Sequence, residues 1–142
     1  MLKGLHPLLT ADLLHALCAM GHGDAIAVVD ANFPAAGLGP PVVEIPGATS
    51  PQVLNAILTV FPLDDDAVPP ASTMEVTDAP QSVPAPVAEF AAVFTEHALG
   101  DVGIGRLPRR DFYREAREAF AIVRTGETRP YGNILLVKGV IG

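Results

Sequence analysis

The run Ala25-Ile26-Ala27-Val28-Val29 constrains the fold of this chain more than any other stretch. It is apolar without alternation and rich in β-branched side chains, the pattern of a strand covered on both faces. Such strands belong to parallel sheets with helices above and below. Asp30 closes the run at its carboxyl end, where open α/β sheets bind ligands, and is a candidate hydroxyl acceptor. Gly21-His22-Gly23 precedes the run. Flanking glycines let the backbone bend, so the imidazole of His22 projects from a turn and can give or take a proton near pH 7. A surface histidine in a plain helix-to-strand connection fits the same spacing, so other residues must decide between the two.

The rest of the chain alternates helices and strands. Thr10 is placed to cap a helix over 11–20, with Leu13, Leu14 and Leu17 on one face and Cys18 as a small core residue beside them. A Gly/Pro-rich loop over 33–41 leads to a strand over 42–45 and a turn at Pro46-Gly47. Ser50 reads as the cap of a second helix, with Pro51 at its first position, an apolar face from Val53 to Phe61 and Pro62 as its stop. Asp64-Asp65-Asp66 lies in a stretch read as a solvated loop, because its spacing does not match a calcium loop. A strand over 72–77, a proline-rich connection, a helix over 87–98 and a strand over 102–107 follow. His97 sits where a cation complements a helix C-terminus. A helix over 112–119, a strand over 120–124 and a last strand over 133–137 complete an α/β pattern. It predicts a single domain over residues 1–142, with a central, mainly parallel sheet covered by helices. The glycines around His22 lie between helix and strand, the reverse of a dinucleotide-binding loop, which excludes that reading.

Composition narrows the function classes. A formal net charge of −7 over 142 residues, with no basic block, argues against nucleic acid and anionic membrane partners. The hydrophobic share of 49% leaves apolar surface for other subunits, so a homo-oligomer is expected. Cys18 is the only cysteine, which excludes an intrachain disulfide and points to a reducing, cytoplasmic location. No segment reads as a leader or a membrane span. No histidine and carboxylate cluster has metal-ligand spacing, so no metal is expected.

A second polar constellation lies near the C-terminus. Arg109 opens a helix, and Tyr131-Gly132-Asn133 forms a turn into the last strand. Arginine, tyrosine and asparagine are fixed donors suited to sugar hydroxyls, and glycine allows close backbone approach. Singly, Arg109 also fits a solvated charge, Tyr131 a strand-edge aromatic and Asn133 a turn former.

Together with Met20-Gly21-His22-Gly23-Asp24, Asp30-Ala31-Asn32-Phe33-Pro34, Phe112-Tyr113, Ala119-Phe120-Ala121-Ile122-Val123 and Thr125-Gly126-Glu127, this turn makes nearly the whole chain resemble the fucose mutarotases and ribose pyranases. The resemblance implies a cofactor-free isomerase that interconverts the α and β anomers of a monosaccharide. His22 matches the family's proton donor, and Asp30, Arg109, Tyr131, Gly132 and Asn133 match its substrate contacts. Ribose pyranases usually carry histidine where Arg109 stands and alanine where Gly132 stands, so L-fucose is the expected sugar. A ribose pyranase activity and a non-catalytic sugar-binding or transport-accessory role are the alternatives. Family members form rings with sites near subunit boundaries, which implies a ring-forming homo-oligomer, a decamer being one such ring. Arg110-Asp111 and the proline-rich stretch 63–86 depart from the family pattern at the expected pocket rim.

Overall fold

In the computed structural model, which describes residues 1–142, the apolar run is strand β1 (Ala25–Val29), and Ile26 to Val29 are wholly buried. Around it the chain forms α1 (Ala11–Ala19), β2 (Val42–Ile45), α2 (Ser50–Leu58), β3 (Ala71–Met74), α3 (Ala85–Glu96), β4 (Ile104–Leu107), α4 (Arg109–Arg117), β5 (Ala121–Thr125) and β6 (Ile134–Val137). The loop after β1 contains one short 3-10 turn, Ala35–Gly37. The six strands form one sheet in the order β2-β5-β1-β6-β3-β4. β1, β2 and β5 run parallel, as do β3 and β4, while β6 is antiparallel to both of its neighbours. The expected mainly parallel α/β sheet is therefore present.

Alternate residues of β1 feed two different cores. Ile26 and Val28 pack with the apolar faces of α1, α2 and α3, whereas Ala27 and Val29 pack with Phe33, Phe112 and Ala116 beneath α4. With both faces covered, no position along β1 can be polar, which is why the run shows no alternation.

Strand direction decides where polar groups gather. Ile134 is in register with both Val28 and Thr73. The start of β6 therefore shares one sheet edge with the carboxyl ends of β1, β3, β4 and β5, and the residues flanking those ends meet there.

Several local expectations are corrected. The cap of α2 is Thr49, not Ser50: Thr49 Oγ1 accepts from the Gln52 N–H at 3.4 Å, and Gln52 Oε1 accepts from the Thr49 N–H at 2.9 Å. Ser50 lies inside the first turn, where a side chain cannot reach the free N–H groups in that way. Cys18 is exposed rather than in the core, because α1 buries Leu13, Ala16 and Leu17 and one further residue rotates outward by about 100°. α4 begins at Arg109, which opens it as expected, so the helix starts three residues ahead of 112. His97 ends α3 as expected, but its Nε2 bonds Asn55 Oδ1 of α2 at 2.8 Å, so it also ties two helices together.

Gly126, just after β5, donates its N–H to the Ala48 carbonyl at 2.8 Å, and an added Cβ would collide with the Pro46 carbonyl oxygen. Gly126→Ala is expected to destabilise the fold by about 1–3 kcal/mol, as overpacking against backbone does. The measurement is the urea midpoint at unchanged m. A midpoint equal to the parent's would mean that the 46–48 turn yields without cost.

Candidate active site

At the shared edge lies a cavity of about 240 Å³ lined by Asp30, Asn32, Phe33, Met74, Arg109, Tyr113, Pro130, Tyr131 and Asn133. Of the six residues expected in a site, Asp30, Arg109, Tyr131 and Asn133 meet here. Asp30 follows β1 and is 7% exposed. Its N–H donates to Asn133 Oδ1 at 2.8 Å, which locks the end of β1 to the start of β6, and its Oδ1 accepts from the Asn32 N–H at 3.0 Å. Burial pushes the Asp30 carboxyl above its ordinary range, against the N–H of Asn32, the side chain of Asn133 and the N–H of Phe33, which pull it down. The negative charge of Glu127 adds a smaller push upward. Asp30 is thus a stronger proton acceptor than an exposed carboxylate.

Tyr131 occupies the left-handed region at φ 63°, an uncommon backbone for a bulky side chain. Its hydroxyl accepts the Thr77 N–H at 3.1 Å, so the chain leading into the proline-rich connection touches the site through Tyr131. The Thr77 side chain, then the Thr77 N–H and to a lesser extent the Arg109 charge, draw the phenol below its usual pKa. Arg109 lies with its guanidinium carbon 5.3 Å from the centre of the Tyr113 ring and donates to the Tyr113 hydroxyl at 3.2 Å. The Tyr113 ring in turn meets Phe33 edge-on, at 5.1 Å between centroids. Stacking on an aromatic face fixes the planar fork of an arginine that would otherwise be mobile.

Gly132 does not line the cavity. A Cβ there would lie 2.7 Å from Glu127 Cγ and 2.9 Å from Ser50 Oγ, so its glycine is required by packing beneath the turn rather than by close approach of a ligand.

His22 stands at the opposite edge of the sheet. Strands advance about 3.3 Å per residue, so β1 alone separates His22 and Asp30 by on the order of 16 Å. The turn that carries it is firmly built. Gly23 has φ +86° and donates to the Lys138 carbonyl at 2.8 Å, and Asp24 Oδ2 accepts from the Gly21 N–H at 2.8 Å. Lys138 Nζ reaches the Leu17 and Met20 carbonyls at 2.8 and 2.6 Å, placing a cation at the end of α1. The imidazole projects as expected, 48% exposed, with Nε2 3.1 Å from Asp64 Oδ1. Asp64 is therefore not a solvated loop residue: it is 9% exposed and donates its N–H to the Val137 carbonyl at 3.0 Å. The Asp66 N–H, and after it His22, hold its carboxyl below the ordinary range. His22, Asp64 and Asp66 come close enough to offer three ligand atoms to a cation, a cluster the sequence spacing did not suggest.

The model of the RbsD / FucU transport protein family matches residues 3–141. The chain belongs to that family. The human fucose mutarotase is 41% identical over 99% of this chain and 94% of its own length. A crystal structure of the fucose mutarotase from Streptococcus pneumoniae in complex with L-fucose superposes with a TM-score of 0.93 at 35% identity, covering 99% of this chain and 100% of that one. A further crystal structure, described as a putative sugar binding protein, gives 0.94 at 37% identity, covering 100% and 97%. Within this RbsD / FucU chain, the cavity residues that sequence reasoning missed are Asn32, Phe33, Met74, Tyr113 and Pro130. Phe33 and Tyr113 stood in recognised motifs, where an aromatic four residues after Arg109 on a helix was the available signal. Met74 had none. No helix of the chain is long and apolar enough to cross a membrane.

Proposed function

We propose that this chain is a cofactor-free isomerase that interconverts the α and β anomers of L-fucose. The observation that carries this reading is the cavity itself. At about 240 Å³ it suits a single monosaccharide, and it offers a carboxylate, a guanidinium, a phenol and an amide around one small volume. The likeness to named fucose mutarotases along nearly the whole chain supports the substrate.

Anomer exchange needs two proton transfers. The anomeric hydroxyl loses its proton, the bond from the anomeric carbon to the ring oxygen breaks as that oxygen is protonated, and an aldehyde results. Rotation about the adjacent carbon–carbon bond and reversal of both transfers closes the other anomer. Asp30, pushed up by burial, faces the cavity and can take the hydroxyl proton, and the Tyr131 phenol lining the same cavity can hold a sugar hydroxyl. Arg109 and Asn133 hold the remaining hydroxyls. His22, oriented by Asp64, donates to the ring oxygen and recovers the proton on closure.

Since His22 and the cavity occupy opposite edges, the donor for one cavity comes from a second copy in a ring-forming oligomer. Two apolar grooves flank His22 and Asp64, one lined by Val68, Pro69, Leu99 and Val102, the other by Leu14, Val60, Val140 and Ile141. Val60, Val68, Val140 and Ile141 are all exposed, and a neighbouring copy over this edge would cover them. The reading places the enzyme in the cytoplasm, where a lone exposed thiol persists.

The test is transfer of saturation between the α and β anomeric protons of L-fucose by NMR, with catalytic amounts of protein. Exchange no faster than in buffer would end the proposal, and sugar binding without exchange would favour the accessory role. Substitution of Arg109 by histidine, as in the ribose branch, is expected to lower fucose exchange more than ribose exchange, by about tenfold in the ratio. An unchanged ratio would remove Arg109 from specificity.

A further inference from the structure

Glu127 is the most buried carboxylate of the chain, at 1% exposure, and lines no part of the cavity. It accepts three bonds from Arg129: Oε1 from the backbone N–H at 3.0 Å and from Nε at 2.8 Å, and Oε2 from the terminal nitrogen at 3.0 Å. These bonds, aided by the Ser50 N–H at the start of α2, hold its carboxyl below the ordinary range despite burial. Arg129 is itself anchored to Glu89 of α3. The main chain of Glu127 ties the other side: its carbonyl accepts the Ala31 N–H at 2.8 Å, and its N–H donates to Thr125 Oγ1 at 3.1 Å, whose hydroxyl donates to the Val29 carbonyl at 2.8 Å. Gly132, between Tyr131 and Asn133, rests on its side chain.

We propose that Glu127 is a positioning residue of the sugar site: clamped by Arg129, it seats the turn carrying Tyr131 and Asn133 against the segment carrying Asp30, and so sets the spacing of the groups that grip the sugar. A buried charge stabilises a fold poorly compared with an apolar side chain of similar size, but it fixes its partners in one geometry. Here the charge fixes Arg129 and the chain packed on the Glu127 side chain at Gly132, while the main chain of the same residue holds the segment that follows Asp30. The inference rests on the sugar-site reading above.

The test compares Glu127→Gln and Arg129→Ala. Arg129 is 38% exposed in its side chain, so its removal leaves no closed void, and Arg129→Lys keeps a cation on Glu127 should either of these variants fail to fold. Both variants are expected to raise KM for L-fucose by about tenfold or more, because hydroxyl contacts shared by ground and transition states are lost, and to lower kcat as well, because Asp30 is displaced from the anomeric hydroxyl. Arg129→Lys, which keeps the charge but not the fork, should fall between parent and Arg129→Ala. A role in stability alone would lower the folded fraction, and with it apparent kcat, at unchanged KM. A crystal structure of Arg129→Ala reads the same proposal without turnover: the Asp30 N–H to Asn133 Oδ1 contact, now 2.8 Å, should lengthen or break. An intact contact with unchanged KM overturns the positioning role and leaves the mutarotase reading standing. Absence of exchange in the parent chain overturns the mutarotase reading, while the contact in the crystal still decides the role of Glu127.

Discussion

His22→Ala is expected to lower the rate of fucose anomer exchange by on the order of 10²–10⁴, the usual contribution of a positioned acid/base group. Its size follows from the chemistry, since an alkoxide leaving from the ring is a poor leaving group unless protonated as the bond breaks. The fold should be unharmed, because the side chain is half exposed and its turn is held by Gly23, Asp24 and Lys138 rather than by the imidazole. Circular dichroism and the urea midpoint check the second point, and saturation transfer the first. Asp64→Asn separates orientation from charge: the amide oxygen can still accept from Nε2, but it cannot stabilise an imidazolium. A loss smaller than that of His22→Ala is therefore expected. Parent-rate exchange by His22→Ala would remove His22 from the mechanism.

The contrast between the two ends of β1 also shows what a sequence can and cannot convey. The strand was legible because burial on both faces forbids alternation, and Asp30 at its carboxyl end followed from the general geometry of open α/β sheets. Arg109 was legible as a donor type at a helix start, and Tyr131 and Asn133 as donor types in a turn. Their convergence with Asp30 was not, because it depends on β6 entering antiparallel between β1 and β3, which no local pattern encodes. Asp64 was misread for a related reason. Its neighbours Asp65 and Asp66 and the nearby prolines give the stretch the composition of a solvated loop, yet its N–H bonds Val137 and Leu63 bridges Lys138, so one carboxylate is drawn against His22. Glu127 and Gly132 belonged to recognised motifs, but a residue that acts from beneath a pocket carries no mark of doing so in sequence.

Mixing two inactive variants is expected to restore activity if the donor crosses between copies. His22→Ala keeps an intact cavity and lacks the donor; Tyr131→Phe with Asn133→Ala keeps the donor and lacks the cavity contacts. In an oligomer assembled from both, a cavity from the first protein can face His22 from the second, and such junctions regain parent chemistry. With random assembly of equal amounts, about one quarter of the junctions pair an intact cavity with an intact donor in a heterologous ring, so roughly a quarter of parent exchange is expected, against a loss of about 10² or more in each variant alone. The physical ground is the length of β1, which keeps the imidazole of each chain on the order of 16 Å from its own Asp30, beyond the reach of one monosaccharide. Mass spectrometry of differently tagged chains verifies that subunits have exchanged. Hybrids that form and stay inactive would confine the whole site to a single chain, and the proton for the ring oxygen would then have to come from within the cavity, where Tyr113 and Tyr131 carry the hydroxyls.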